Sequence, residues 1–111
     1  MIQEYSSSND YTTILETSKN KPIFLLKHST ACPVSSSAHR QFVAFADGNN
    51  EADFWIVLVR EQRPLSLEIA EKSGISHQSP QILLFSQGKP VWDCSHGRIT
   101  EANLSSALNE L

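Results

Sequence analysis

Cys32, Pro33 and Ser35 are the residues with the most chemistry to offer, in the run Ala31-Cys32-Pro33-Val34-Ser35. A proline suits the first position of a helix, where its missing N–H would have had no partner, so Cys32 is expected just outside a helix N-terminus. A sulfur there faces unpaired backbone N–H groups and the positive end of the helix dipole. Both favour thiolate over thiol, and the thiolate is the nucleophile of disulfide exchange. In a Cys-x-x-Cys site the second thiol, one helical turn along, resolves the mixed disulfide that forms first. Ser35 occupies that place and cannot do so. A lone attacking thiol would take a small thiol from a disulfide-modified protein, hold it as a mixed disulfide and wait for a second thiol to release it. Ser35 is expected to donate a hydrogen bond to the Cys32 thiolate.

The rest of the composition narrows the setting. With 111 residues the chain forms one domain, spanning 1–111, with a single core. A formal net charge of −3 gives no electrostatic reason to expect nucleic acid or an anionic membrane as partner. No apolar run approaches the roughly 20 residues that span a bilayer. The N-terminal MIQEYSSSNDY has neither the basic region nor the apolar core of a signal peptide, so a cytoplasmic location is expected. In a reducing compartment two cysteines, Cys32 and Cys94, are candidates for chemistry rather than a structural staple. No Cys/His spacing matches a zinc site; His28, His39, His77 and His96 are scattered, and no metal is expected.

The elements that must position Cys32 follow from pattern and punctuation. Asp10 is placed to cap a helix through about Thr17, with Tyr11, Ile14 and Leu15 as its apolar stripe. Ile23 to Lys27 reads as a strand covered on both faces. From Pro33 to about Ala46, apolar residues at Val34, Ala38, Phe42, Phe45 and Ala46 keep helical spacing, and Gly48 closes the helix. Phe54–Val59 is the densest apolar run and reads as a central strand, parallel to the first because a helix joins them. Pro64 opens a helix over about Leu65–Ser73, ended by Gly74. Gln81–Phe85 and Pro90–Cys94 form a hairpin around the Gln87-Gly88 turn. Thr100 starts a last helix to Leu111. The order is αβαβαββα.

A βαβ unit followed by a helix and a hairpin, with a cysteine opening the helix after the first strand, resembles the thioredoxin-like fold over nearly the whole chain. That implies an α/β domain with a central four-stranded mixed sheet flanked by helices. It also implies a cis-proline before the hairpin, facing the cysteine, which Ser79-Pro80 would supply. The local run His28-Ser29-Thr30-Ala31-Cys32-Pro33-Val34-Ser35, with Pro80 and Val91-Trp92-Asp93-Cys94-Ser95-His96-Gly97-Arg98-Ile99-Thr100, resembles the monothiol bacilliredoxins of the bacillithiol redox system. It differs from their usual motif at Ala31 and Gly97.

The resemblance implies a thiol-disulfide oxidoreductase that removes bacillithiol from protein mixed disulfides through Cys32, with bacillithiol as co-substrate and no bound cofactor. Its partners would be bacillithiol-modified proteins and a low-molecular-weight thiol. Thr30, Pro33, Ser79, Pro80, Ser95, His96 and Arg98 would bind the substrate. The residue before Pro80 would offer its backbone, and backbone N–H groups between Ser95 and Thr100 would meet carboxylates with help from Arg98. The hairpin brings Cys94 back toward the Cys32 edge of the sheet, so Cys94 is a candidate resolving thiol, provided the two Cα atoms approach to about 7 Å. His28 and His96 are candidate supports for the thiolate. Three other readings share these residues: a monothiol glutaredoxin-like enzyme using another thiol, a module whose Cys32 ligates an iron–sulfur cluster at a dimer interface, and a non-catalytic adaptor.

Overall fold

Ile23–Leu26, Phe54–Leu58 and Ile82–Phe85 are too uniformly apolar to leave one face in water, and in the computed structural model, which describes residues 1–111, each lies in a sheet covered on both sides. The elements are β1 (Ile2–Glu4), α1 (Asn9–Thr17), β2 (Ile23–His28), α2 (Pro33–Ala46), β3 (Asp53–Leu58), α3 (Arg63–Ser73), β4 (Gln81–Ser86), β5 (Lys89–Ser95), a short 3-10 turn at His96–Arg98, and α4 (Glu101–Asn109). The sheet order is β1-β3-β2-β4-β5. β2 and β3 are parallel, while β4 runs antiparallel to both β2 and β5.

The sheet therefore has five strands rather than the four expected. The additional one, β1, pairs parallel with Phe54–Ile56. Three residues with one apolar side chain carry no periodicity to read. What fixes them is non-local: the Tyr5 amide donates to the Ile56 carbonyl at 2.8 Å, and the buried Tyr5 ring meets Trp55 edge-on at 6.4 Å.

Alternation along the strands divides the core in two. Phe24, Leu26, Phe54, Ile82 and Leu84 face one way, against Phe42 of α2, Ile99, and Leu104 of α4. Ile23, Leu25, Trp55, Val57, Leu83 and Phe85 face the other, against Tyr11 and Ile14 of α1 and Ile69 of α3. Each fully buried Leu, Ile or Phe is worth about 1.5–3 kcal/mol over its exposed state. These layers make β2 a rigid platform for the loop that leaves it at His28.

Two termini depart from the sequence reading in instructive ways. Ser8, not Asp10, precedes α1; the Asp10 carboxylate reaches back from the first turn to accept from the Ser6 and Ser7 amides at 2.8 and 3.1 Å. α3 starts at Arg63, with Pro64 inside its first turn. The hairpin turn is the expected tight one, Gln87 and Gly88 both having positive φ (54° and 82°). α1 holds it from outside, since Ser18 accepts from the Gln87 amide through its carbonyl at 3.0 Å and from the Gly88 amide through Oγ at 2.9 Å.

Candidate active site

Pro33 opens α2 and Cys32 is its N-cap residue, in extended conformation, half-buried and free. The Cys32 amide donates to the Ser29 carbonyl at 3.3 Å, and its own carbonyl accepts from the Ser36 amide at 3.0 Å. The thiol is thus fixed at the point where the loop from β2 becomes helix.

Ser35, one turn on, has no exposed surface. Its Oγ accepts from the Ser29 amide at 2.8 Å and lies 2.7 Å from His28 Nδ1. The hydroxyl has one hydrogen, and with the Ser29 amide already donating to Oγ that hydrogen is free to go to His28 Nδ1. Burial, and after it the neighbouring His39, hold the His28 pKa below the usual histidine range. This keeps the ring neutral and its Nδ1 an acceptor in the tautomer this network assigns. The expected bond from Ser35 to Cys32 is replaced by a bracket between the end of β2 and the first turn of α2. The reason lies in burial: Ser35 points into the interior, where the loop amide and the ring need partners more than a half-exposed sulfur does.

His39, one turn beyond Ser35, stacks on His28 with ring centroids 4.5 Å apart and planes 17° from parallel. Sequence reasoning gave His39 no role. The i, i+4 spacing from Ser35 was a usable signal, because it puts both side chains on the helix face that meets β2.

The other expected residues fall into separate places. Ser79–Pro80 is a cis peptide, as the fold resemblance implied; Pro80 is buried and Ser79 half-buried. The Pro80 carbonyl accepts from the His96 amide at 3.0 Å, which ties the end of the hairpin to this segment, and Ser95 sits opposite Gln81. Pro33 and His96 share a cleft of about 380 Å³ with Val34, Ser37, Gln41 and Thr100. Thr30 lies instead beside Arg60 and Glu61.

Arg98 lies with Cys94, Trp92 and Asn103 around a separate cavity. Of the amides between Ser95 and Thr100 expected to meet a carboxylate, two already have backbone partners, His96 N–H on the Pro80 carbonyl at 3.0 Å and Ile99 N–H on the His96 carbonyl at 3.2 Å. Just beyond them Glu101 N–H donates to Gln41 Oε1 at 2.9 Å and Asn103 N–H to Thr100 Oγ1 at 3.1 Å. Gln41, a cap supplied by α2 from 60 residues away, leaves no trace in the local sequence around α4.

Cys94 faces the α2/α4 core and sits opposite Ile82, two residues inward from Pro80. Its S–H donates to the Arg98 carbonyl at 3.5 Å. Burial, reinforced by Asp93 and opposed by Arg98, pushes its pKa up to about 11. It is a half-buried thiol packed against that core and held in the protonated form, whereas attack on a disulfide needs a thiolate. No group of three His, Cys, Asp or Glu side chains is arranged to hold a metal ion, and no helix is long and apolar enough to cross a membrane.

A family model described as monothiol bacilliredoxin BrxC matches residues 3–104. A solved structure described, provisionally, as an oxidoreductase with a thioredoxin fold is 36% identical, with a TM-score of 0.86, over 96% of this chain and 92% of the other. The thioredoxin of Malassezia sympodialis is 20% identical (TM-score 0.77, 99% of this chain and 90% of that one). The thioredoxin of Nicotiana alata is 22% identical (TM-score 0.76, 98% and 90%). At those two identities the likeness speaks for the fold alone.

Proposed function

The chain belongs to the monothiol bacilliredoxin family, of thioredoxin fold and thiol redox function, and from that premise we propose that it removes bacillithiol from protein mixed disulfides with Cys32 as the attacking thiol. The observation that carries the reading is the half-exposed Cys32 at the N-cap of α2, with a buried serine one turn later where a resolving thiol would stand.

The Cys32 thiolate attacks the bacillithiol sulfur of the mixed disulfide. The bond between that sulfur and the protein sulfur breaks, and the protein thiolate leaves and takes up a proton. Cys32 then carries bacillithiol as a new disulfide. A second bacillithiol thiolate attacks that adduct, releasing oxidised bacillithiol and restoring Cys32. The two exchanges conserve electrons, so no redox cofactor is required. Pro33 and His96, lining the cleft beside α2, supply its walls. The reducing cytoplasm, with its bacillithiol-modified proteins, is the compartment this chemistry suits.

Intact-protein mass spectrometry tests the reading. Wild type and Cys32→Ser are each mixed with one target protein modified by bacillithiol and, separately, by glutathione. Transfer of bacillithiol to wild type but not to Cys32→Ser is expected. Equal transfer of glutathione would assign a broader monothiol activity, and no transfer from either target would refute the exchange reading.

A further inference from the structure

Lys27 is the only lysine, arginine, aspartate or glutamate with no exposed surface, at 0%, and it belongs to none of the three ion pairs of the molecule. Taking an ammonium out of water without an opposite charge is costly, and its pKa is pulled down by burial to about 8. Its Nζ lies 3.2 Å from His77 Nδ1. An ammonium has only donors, so His77 accepts through Nδ1 and keeps its proton on Nε2. Burial, then Lys27, then Arg63 hold the His77 pKa below the usual range, which keeps that ring neutral and able to accept.

His77 belongs to the stretch between α3 and β4 that ends in Ser79 and cis-Pro80. Lys27 pairs across the sheet with Gln81, the residue after Pro80. The buried Gln81 side chain donates from Nε2 to the Ser76 carbonyl at 3.0 Å and accepts from the Gln78 amide through Oε1 at 3.3 Å. Two adjacent buried side chains thereby hold three consecutive residues, 76, 77 and 78. Beyond them the segment has only the Ile75 amide on Ser73 Oγ and the Pro80 carbonyl on the His96 amide.

We propose that Lys27 is a positioning residue for thiol exchange: through His77 it fixes the Ser76–Pro80 segment so that Ser79 and Pro80 receive the disulfide-bearing part of the substrate. The proposal rests on Cys32 as the exchange thiol. It accounts for a buried charge that packing alone would select against, since a methionine of similar length would fill the same space without desolvating an amine.

Lys27→Met separates this role from a structural one. The variant is expected to melt several degrees higher than wild type while its KM for a bacillithiol-modified peptide rises about tenfold, the factor that goes with losing one hydrogen bond to a charged group. Its kcat is expected to stay within about twofold, an order-of-magnitude bound for an interaction that positions substrate without touching the reacting sulfur. His77→Ala should reproduce the KM effect, His77→Asn should restore most of it, and the Lys27→Met/His77→Ala double variant should be no worse than either single one. A folded Lys27→Met protein with wild-type KM, or effects that multiply in the double variant, would overturn the proposal. If wild type transfers no small thiol at all, the exchange reading itself has failed. The loop claim is then read from amide hydrogen exchange: faster exchange at Gln78 and Ser79 in Lys27→Met supports it, and unchanged exchange overturns it.

Discussion

Ser35→Ala separates two roles that the Cys-x-x-Ser spacing alone leaves merged. If the hydroxyl served chiefly to support the Cys32 thiolate, its loss would slow attack and leave folding stability nearly unchanged. The structure directs Oγ to the Ser29 amide and His28 Nδ1 instead, so the loss should fall first on stability. A buried polar group left unpaired costs about 1–3 kcal/mol. The half-buried Ser29 amide belongs near the lower end, about 1 kcal/mol, and the buried His28 ring contributes about 1–2 kcal/mol more. The sum is about 2–3 kcal/mol. For a domain of 111 residues each kcal/mol moves the melting temperature by about 3–6 °C, so Ser35→Ala should melt about 6–18 °C lower. Urea denaturation is the primary assay, with a lower midpoint and an unchanged slope expected; the rate of bacillithiol transfer to Cys32, measured at a temperature where both proteins are folded, is the second. A change under about 0.5 kcal/mol joined to a large fall in transfer rate would refute the bracket and return Ser35 to the sulfur.

The remaining expectations are more compact. His28 and His77 both have depressed pKa values in the folded protein, so the unfolded chain takes up protons more readily as pH falls through the ordinary histidine value of about 6.5. The stability these two residues contribute is present above that value and is lost as pH drops toward their folded-state values; urea midpoints should fall between pH 7.5 and pH 5, and less steeply in His77→Asn. Cys94→Ser should leave the release of bacillithiol from Cys32 dependent on added small thiol and unchanged in rate, whereas a slower release in mass-spectrometric time courses would establish Cys94 as the resolving thiol. Tyr5→Ala removes an aromatic ring that is 1% exposed and should cost about 3–5 kcal/mol; an effect below about 1 kcal/mol would mean that β1 is not part of the cooperative unit.

What could be read from the sequence was whatever leaves a local signature. β2, β3 and β4 announce themselves as unbroken apolar runs, α2 by its Pro33 start and its stripe from Ala38 to Ala46, and the hairpin by Gln87-Gly88. Cys32 at a helix start follows from the same punctuation, and the cis peptide at Ser79–Pro80 from the fold resemblance. The features that escaped depend on partners far away in the chain. β1 becomes a strand only because the edge of β3 is open to it, Gln41 becomes a cap only because α4 starts beside α2, and Lys27 meets His77 from 50 positions away. Ser35 shows the limit from the other side: its spacing to Cys32 was correct, but the burial of His28 decided where its hydroxyl points.

The placement of Cys94 bears on timing. A protein that carried its own accessible second thiol would shed each adduct at a rate written into its structure, whatever surrounds it. Here the second sulfur is half-buried against the core, has its pKa pushed up to about 11 and is bonded to the Arg98 carbonyl, and the position one turn after Cys32 holds a hydroxyl. Under the proposed exchange, an adduct on Cys32 would therefore persist until an outside thiol arrives, and its lifetime would follow the concentration of that thiol. The fraction of molecules standing loaded at any moment would then become a reading of how reduced the surrounding thiol pool is.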